Sequence, residues 1–204
     1  SDPSRGLGDV YKRQAKYSAE RERSVGLGVM GFHSFLQKKR IPLESVMAKS
    51  WNKKIFKNIH EKVNQASKDL AEERGACPDA AEYGFKERFS NKTAIAPTAS
   101  ISIICGGASP GVEPIAANSY THKTLSGSFN VRNRYLEEIL ESHGKNDDET
   151  WSTITTNQGS VSHLDFLTDL EKDVFKTAFE LNQKWIIELS GDRTPFISQA
   201  QSVN

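Results

Sequence analysis

Three hydroxyls spaced two apart, on Thr98, Ser100 and Ser102, follow a proline in the run Ala94-Ile-Ala-Pro-Thr-Ala-Ser-Ile-Ser-Ile-Ile-Cys-Gly-Gly-Ala-Ser-Pro-Gly-Val-Glu-Pro114. The small side chains of Thr98, Ala99 and Ser100 leave the backbone N–H groups there approachable. If a helix starts at this point, its first amides have no carbonyl partner and the positive end of the dipole stands behind them. Such an arrangement holds an anion the size of a phosphate. The preceding Ala94-Ile-Ala96 is apolar and strand-like, and Pro97 ends it because proline has no N–H for a ladder. Gly106-Gly107 and Pro110-Gly111 break the chain shortly afterwards. The same residues fit an N-capped turn without a ligand, and residue types alone leave both readings open.

Little else in the chain offers chemistry. No Ser/His/Asp or Cys/His set has motif context, and the five histidines lack metal-ligand spacing. Cys77 and Cys105 form no CxxC pattern, and each is expected as a buried thiol. Glu137-Glu138 and Asp147-Asp148 belong on solvated faces or loops. Gly26-Leu-Gly-Val-Met-Gly31 matches GxGxxG formally, but the charged Ala19–Arg23 run before it does not fit the buried strand a dinucleotide site needs. These glycines are read instead as close-packing positions in a helix, with His33 as a partnered helix residue. A net charge of +1, from 27 basic and 26 acidic residues, provides no field for nucleic acid. The lack of an apolar run of membrane length points to the cytoplasm.

These residues must be positioned by a helix-rich chain of 204 residues, a size that fits one domain or a large part of one. Residues 1–14 have no helical or strand period and are read as a flexible, non-native tail, leaving 15–204 as the folded part. Met47, Trp51, Ile55, Ile59, Val63, Ala66 and Leu70 predict a long amphipathic helix, stopped by Gly75. Tyr83, Phe85 and Phe89 are expected to anchor a polar connection, and 118–123 to be irregular. A strand is predicted over Ser126–Arg132, then helices over Arg134–Glu141, capped by Asn133, and over Asp147–Thr155. The spacing from Leu170 to Leu189 predicts one helix closed by Ser190-Gly191, and Thr194–Ile197 is expected to be extended. The abrupt finish at Asn204 is read as a point beyond which a longer protein continues.

With those elements placed, Ala96-Pro-Thr-Ala-Ser-Ile-Ser102 and Gly111-Val-Glu-Pro114 closely resemble the family of aerobic class I ribonucleotide reductase large (alpha) subunits. The likeness extends through Arg23–Phe32, Gly75–Pro78, Lys123–Phe129, Gly159–Phe166, Glu171–Phe179 and Asp192–Phe196 in family order. The resemblance implies an α/β fold, the C-terminal part of a ten-stranded α/β barrel. It implies a ribonucleoside diphosphate substrate whose phosphates are held at Pro97, Thr98, Ala99, Ser100 and Ile101. It also implies a radical-generating small (beta) subunit carrying the metal, a large-subunit homodimer, ATP or dATP effectors, and thioredoxin or glutaredoxin as reductant. No cofactor, nucleic acid or membrane is expected on this chain itself.

The family's finger-loop Asn-x-Cys-x-Glu, its redox cysteine pair, its Tyr-Tyr relay and its C-terminal dithiol have no match here. No catalytic residue is therefore assigned, Cys77 and Cys105 included, and the fragment alone is expected to be inactive. Two alternatives stand beside this reading. An adenosylcobalamin-dependent reductase has a related loop, more often Pro-Thr-Gly-Thr where this chain has Pro97-Thr-Ala-Ser100. An inactive truncated module would leave strand edges and an apolar face unpaired and would aggregate.

Overall fold

A computed structural model describes residues 3–124 and 127–203. The chain forms two compact units: residues 1–28, 54–95 and 193–201, and residues 29–53, 96–192 and 202–204.

The first unit holds α1 (Pro3–Glu22), most of α3 (Val46–Arg74) and α4 (Pro78–Glu82). Residues 3–14, whose sequence has no clear helical period, lie in α1. Proline at the first helical position fits its fixed φ and missing N–H, and Arg21 ties the far end by ion pairs to Asp79, at 2.6 Å, and to Glu82. The GxGxxG segment is not helical, and within it Leu27 bridges in parallel to Thr93 as Ile95 does to Gln201. Along α3 the predicted helix is present, but its most buried line is Ala48, Asn52, Phe56, Ser67 and Ala71, one residue on from the expected one. Met47 and Ala66 are exposed. The apolar spacing alone did not reveal this, because Asn52 and Ser67 are polar yet buried: Ser67 accepts the Arg88 N–H through Oγ at 3.1 Å, and Asn52 donates to the Leu189 carbonyl at 2.8 Å. Tyr83 and Phe85 are exposed, not anchors. Gly75, at φ +79°, ends α3 as expected.

The second unit contains α2 (Phe32–Lys38), α5 (Ala99–Ile104), an antiparallel pair β1 (Ser119–Thr124) and β2 (Gly127–Arg132), and α6 (Arg134–Ser142). It continues with α7 (Asp148–Thr156), α8 (Asp169–Val174) and most of α9 (Gln183–Arg193). The pair runs in register from Ser119 opposite Arg132 to Thr124 opposite Gly127, so 119–123 is strand where irregular chain was expected. Ser126, placed in the strand from sequence, lies outside the described residues. Its core is Leu136, Ile139, Leu140, Trp151, Ile154, Val161, Leu164, Leu167, Val174 and Phe175. Each such large apolar side chain contributes about 1.5–3 kcal/mol on burial.

Side-chain caps set the helix starts. Asn133 accepts the Tyr135 N–H at 3.1 Å, and Asp147 accepts the Thr150 N–H at 2.8 Å, which holds its carboxyl below the usual range. Thr168 and Glu171 form a capping box. The single helix expected from Leu170 to Leu189 is broken between Val174 and Gln183. There Glu180 accepts both the N–H and the hydroxyl of Thr177 at 2.8 Å, and Ala178 donates to the Ile115 carbonyl. These partners satisfy the backbone outside the helix ladder. Ser190-Gly191 does not close α9, which runs to Arg193, and Thr194–Phe196 forms a 3-10 turn instead of extended chain.

Candidate phosphate-binding site

α5 has six residues and begins where the hydroxyl pattern placed a helix start. Its first ladder bond runs from the Ser102 N–H to the Thr98 carbonyl at 2.9 Å. The amides of Ala99, Ser100 and Ile101 therefore stand ahead of the ladder, on residues that are all exposed. Pro97 is exposed and Thr98 is half-buried.

Thr98 carries the strain of this turn. Its backbone lies in the left-handed region at φ 56°, a conformation that costs a β-branched residue about 1–3 kcal/mol and persists only where its surroundings impose it. The restraint comes from Gly111, whose N–H donates to Thr98 Oγ1 at 2.7 Å. The Thr98 hydroxyl is thus an acceptor on its inner side and keeps its own proton to donate. It does not cap α5 by its side chain. Ser102 is turned inward: it is buried and its hydroxyl donates to the Ala99 carbonyl at 2.9 Å, so it leaves the set of outward hydroxyls.

Gly111 is fixed in turn by the start of α2. Gly31 donates to the Ser109 carbonyl at 2.9 Å and Phe32 to the Gly111 carbonyl at 3.3 Å. Ser34 and Ser109 exchange reciprocal bonds, each backbone N–H reaching the other's hydroxyl at 3.1 and 2.8 Å. One residue away, buried His33 accepts the Ile115 N–H on Nδ1 at 3.0 Å, as the partnered residue expected. Burial without a charged partner pushes its pKa down to about 4, so the ring is neutral near pH 7. Sequence reasoning missed this support: Pro110-Gly111 signalled a turn, but nothing in the local pattern tied Ser34 to Ser109.

The remaining candidate groups do not converge on a site. Cys77 is buried as expected, whereas Cys105 at the end of α5 is exposed. Among the described residues, no group of three or more His, Cys, Asp or Glu side chains is placed to hold a metal. Among them too, no helix is long and apolar enough to cross a membrane.

Comparison with known proteins places this loop in context. The family described as ribonucleotide reductase, barrel domain, matches residues 7–87 and 78–204. The chain belongs to this family. A ribonucleoside-diphosphate reductase large subunit from Invertebrate iridescent virus 6 is 48% identical over 195 residues, covering 94% of this chain and 20% of the relative. The Caenorhabditis elegans large subunit is 31% identical over 223 residues, 94% of this chain and 28% of its own length. Among solved structures, the Actinobacillus ureae class Id ribonucleotide reductase alpha subunit matches with a TM-score of 0.84 and 40% identity, over 92% of this chain and 34% of that one. The chain therefore spans a fifth to a third of the length of these relatives. The match runs over the helices as well as the two strands and parallel bridges, so this helix-rich chain is part of a reductase barrel domain.

Proposed function

We propose that this chain supplies the substrate diphosphate-binding loop of a ribonucleoside-diphosphate reductase large subunit. The observation that carries the reading is the exposed start of α5, where three amides stand ahead of the ladder and Thr98 is held in place from behind. In this reading the N–H groups of Ala99, Ser100 and Ile101 donate to phosphate oxygens, joined by the hydroxyls of Thr98 and Ser100, while Pro97 fixes the chain into the turn. A hydrogen bond to a charged group is worth about 1.5–3 kcal/mol, so a few of them anchor a diphosphate.

The full-length enzyme would replace the 2′-hydroxyl of a ribonucleoside diphosphate by thiyl-radical chemistry, a step in the supply of deoxyribonucleotides for DNA replication. Its partners would be a small subunit carrying the metal and radical, a second large subunit, and thioredoxin or glutaredoxin as reductant, under ATP and dATP control in the cytoplasm. This chain contributes binding and orientation to that reaction and none of its redox groups. The class I neighbour favours this reading over an adenosylcobalamin-dependent enzyme.

Titration calorimetry on the full chain tests the loop. A ribonucleoside diphosphate is expected to bind at least tenfold more tightly than its nucleoside. Ser100→Pro removes one amide while keeping a first-turn φ, and should abolish most of that preference. Equal affinity of the unsubstituted chain for both ligands refutes the assignment.

A further inference from the structure

A cavity of about 470 Å³ lies within the second unit, walled in part by Ala99 and Ile103 of α5, Ile115 and Val131. Its volume is that of a small-molecule site. The run Arg132–Tyr135, which carries the chain from β2 into α6, lines it as well. α6 has nine residues, and its first ladder bond runs from the Glu137 N–H to the Asn133 carbonyl at 2.9 Å. The Arg134 amide therefore stands ahead of the ladder, at the positive end of the helix dipole. A guanidinium on that first residue is at the wrong end of the helix for its own charge. Arg134 is exposed, donates to the Tyr135 hydroxyl at 2.8 Å and lies over the same ring, both neutral groups. No described carboxylate pairs with it, whereas Arg132 is paired with Asp148 at 2.7 Å. Glu137, in the same first turn, does not line the cavity. One uncompensated cation and a helix N-terminus thus meet at an apolar cavity.

We propose that this cavity binds an aromatic monocarboxylate. The carboxylate accepts from the remaining N–H groups of Arg134, whose planar fork matches it, at the N-terminus of α6. A single negative charge answers the single unpaired guanidinium. The ring body lies among the aliphatic walls, where Tyr120 and Tyr135 add aromatic surface for it to pack on. The site uses neither Thr98 nor Ser100; it goes beyond the diphosphate reading and does not depend on it.

The probe is 2-naphthoate, with 2-naphthamide as the neutral analogue of the same shape, titrated calorimetrically into the full chain at pH 7. The expected result is at least tenfold tighter binding of 2-naphthoate. Arg134→Gln removes an exposed charge without cutting into the core. It should weaken 2-naphthoate at least fivefold and leave 2-naphthamide within twofold. Val131→Trp fills the cavity and should abolish binding of both compounds; if it fails to fold, Arg134→Gln decides the matter. Saturating nucleoside diphosphate should raise the 2-naphthoate Kd no more than threefold, and excess acetate should not displace it. The proposal is overturned by no binding at millimolar probe, by equal affinity for acid and amide, or by undiminished binding to folded Val131→Trp. It is equally overturned by an Arg134→Gln effect that is absent or the same for both compounds, or by a Kd that climbs in proportion to diphosphate or acetate.

Discussion

Gly111→Ala tests whether the proposed phosphate loop is shaped from behind. Gly111 sits at φ +46°, and a Cβ built on it stands 2.8 Å from the Ala96 carbonyl oxygen and 3.4 Å from that of Pro97. Both obstacles are backbone atoms of the turn that enters α5, so relief requires the loop itself to move. A left-handed backbone costs an L-residue about 1–2 kcal/mol, and the crowding adds about 1–3 kcal/mol. The expected loss is about 2–5 kcal/mol, a large share of a stability that typically totals about 5–15 kcal/mol. Gly106→Ala is the matched control, because Gly106 has φ +79° with nothing within 4 Å of the added methyl. It should lose only the conformational share, about 1–2 kcal/mol. Urea unfolding followed by circular dichroism gives both numbers, and calorimetry with a nucleoside diphosphate gives the functional one. Diphosphate affinity should fall at least tenfold in Gly111→Ala, since the Thr98 hydroxyl loses its fixed donor, and should stay within threefold in Gly106→Ala. If both variants lose the same stability and affinity, the idea that Gly111 holds Thr98 in place is wrong.

Further predictions concern the second unit. His33 has an ordinary pKa of 6.5 when unfolded and about 4 in its buried site. Because the folded state resists protonation, its contribution is complete above about pH 6.5 and is lost as pH falls towards 4, amounting to about 3 kcal/mol. His33→Gln keeps an acceptor for the Ile115 N–H, so urea midpoints at pH 7 and 4.5 should differ less in the variant; an equal pH dependence would refute the assignment. Gly159→Ala should be far more damaging than Gly106→Ala, since its Cβ would meet Ala117 Cβ at 2.3 Å, Ala117 Cα at 2.6 Å and the Asn118 nitrogen at 2.8 Å. A loss above about 3 kcal/mol in urea unfolding is expected, and a loss near 1 kcal/mol would show that the Ala117 turn yields.

What could be read from sequence was whatever local chemistry alone decides. Asn133 announces the cap of α6, Gly75 ends α3, and small residues after Pro97 mark the start of α5. The misreadings arose where distant residues decide. Spacing from Leu170 to Leu189 is helical, but Thr177, Glu180 and Ile115 supply partners that make a break cheaper than continuation. The buried line of α3 passes through Asn52 and Ser67, whose polarity hid it. Ser119–Lys123 looked irregular because its order comes from pairing with β2, not from its own composition. In the candidate site the exposed amides were legible, whereas the Ser34–Ser109 exchange, 75 positions apart, was not.

The parallel bridges have a consequence for the order in which the chain can fold. The Thr93 backbone N–H donates to the Ser198 hydroxyl across 105 positions, and Ile95 pairs with Gln201 beside it. Contacts this distant in sequence form late, because loop closure must precede any gain from them. During synthesis at about 5–20 residues per second, Thr93 and Ile95 would wait several seconds before their partners leave the ribosome. In that interval the strand-like run leading into α5 has an open edge, which is when a chaperone or an aggregating neighbour would reach it.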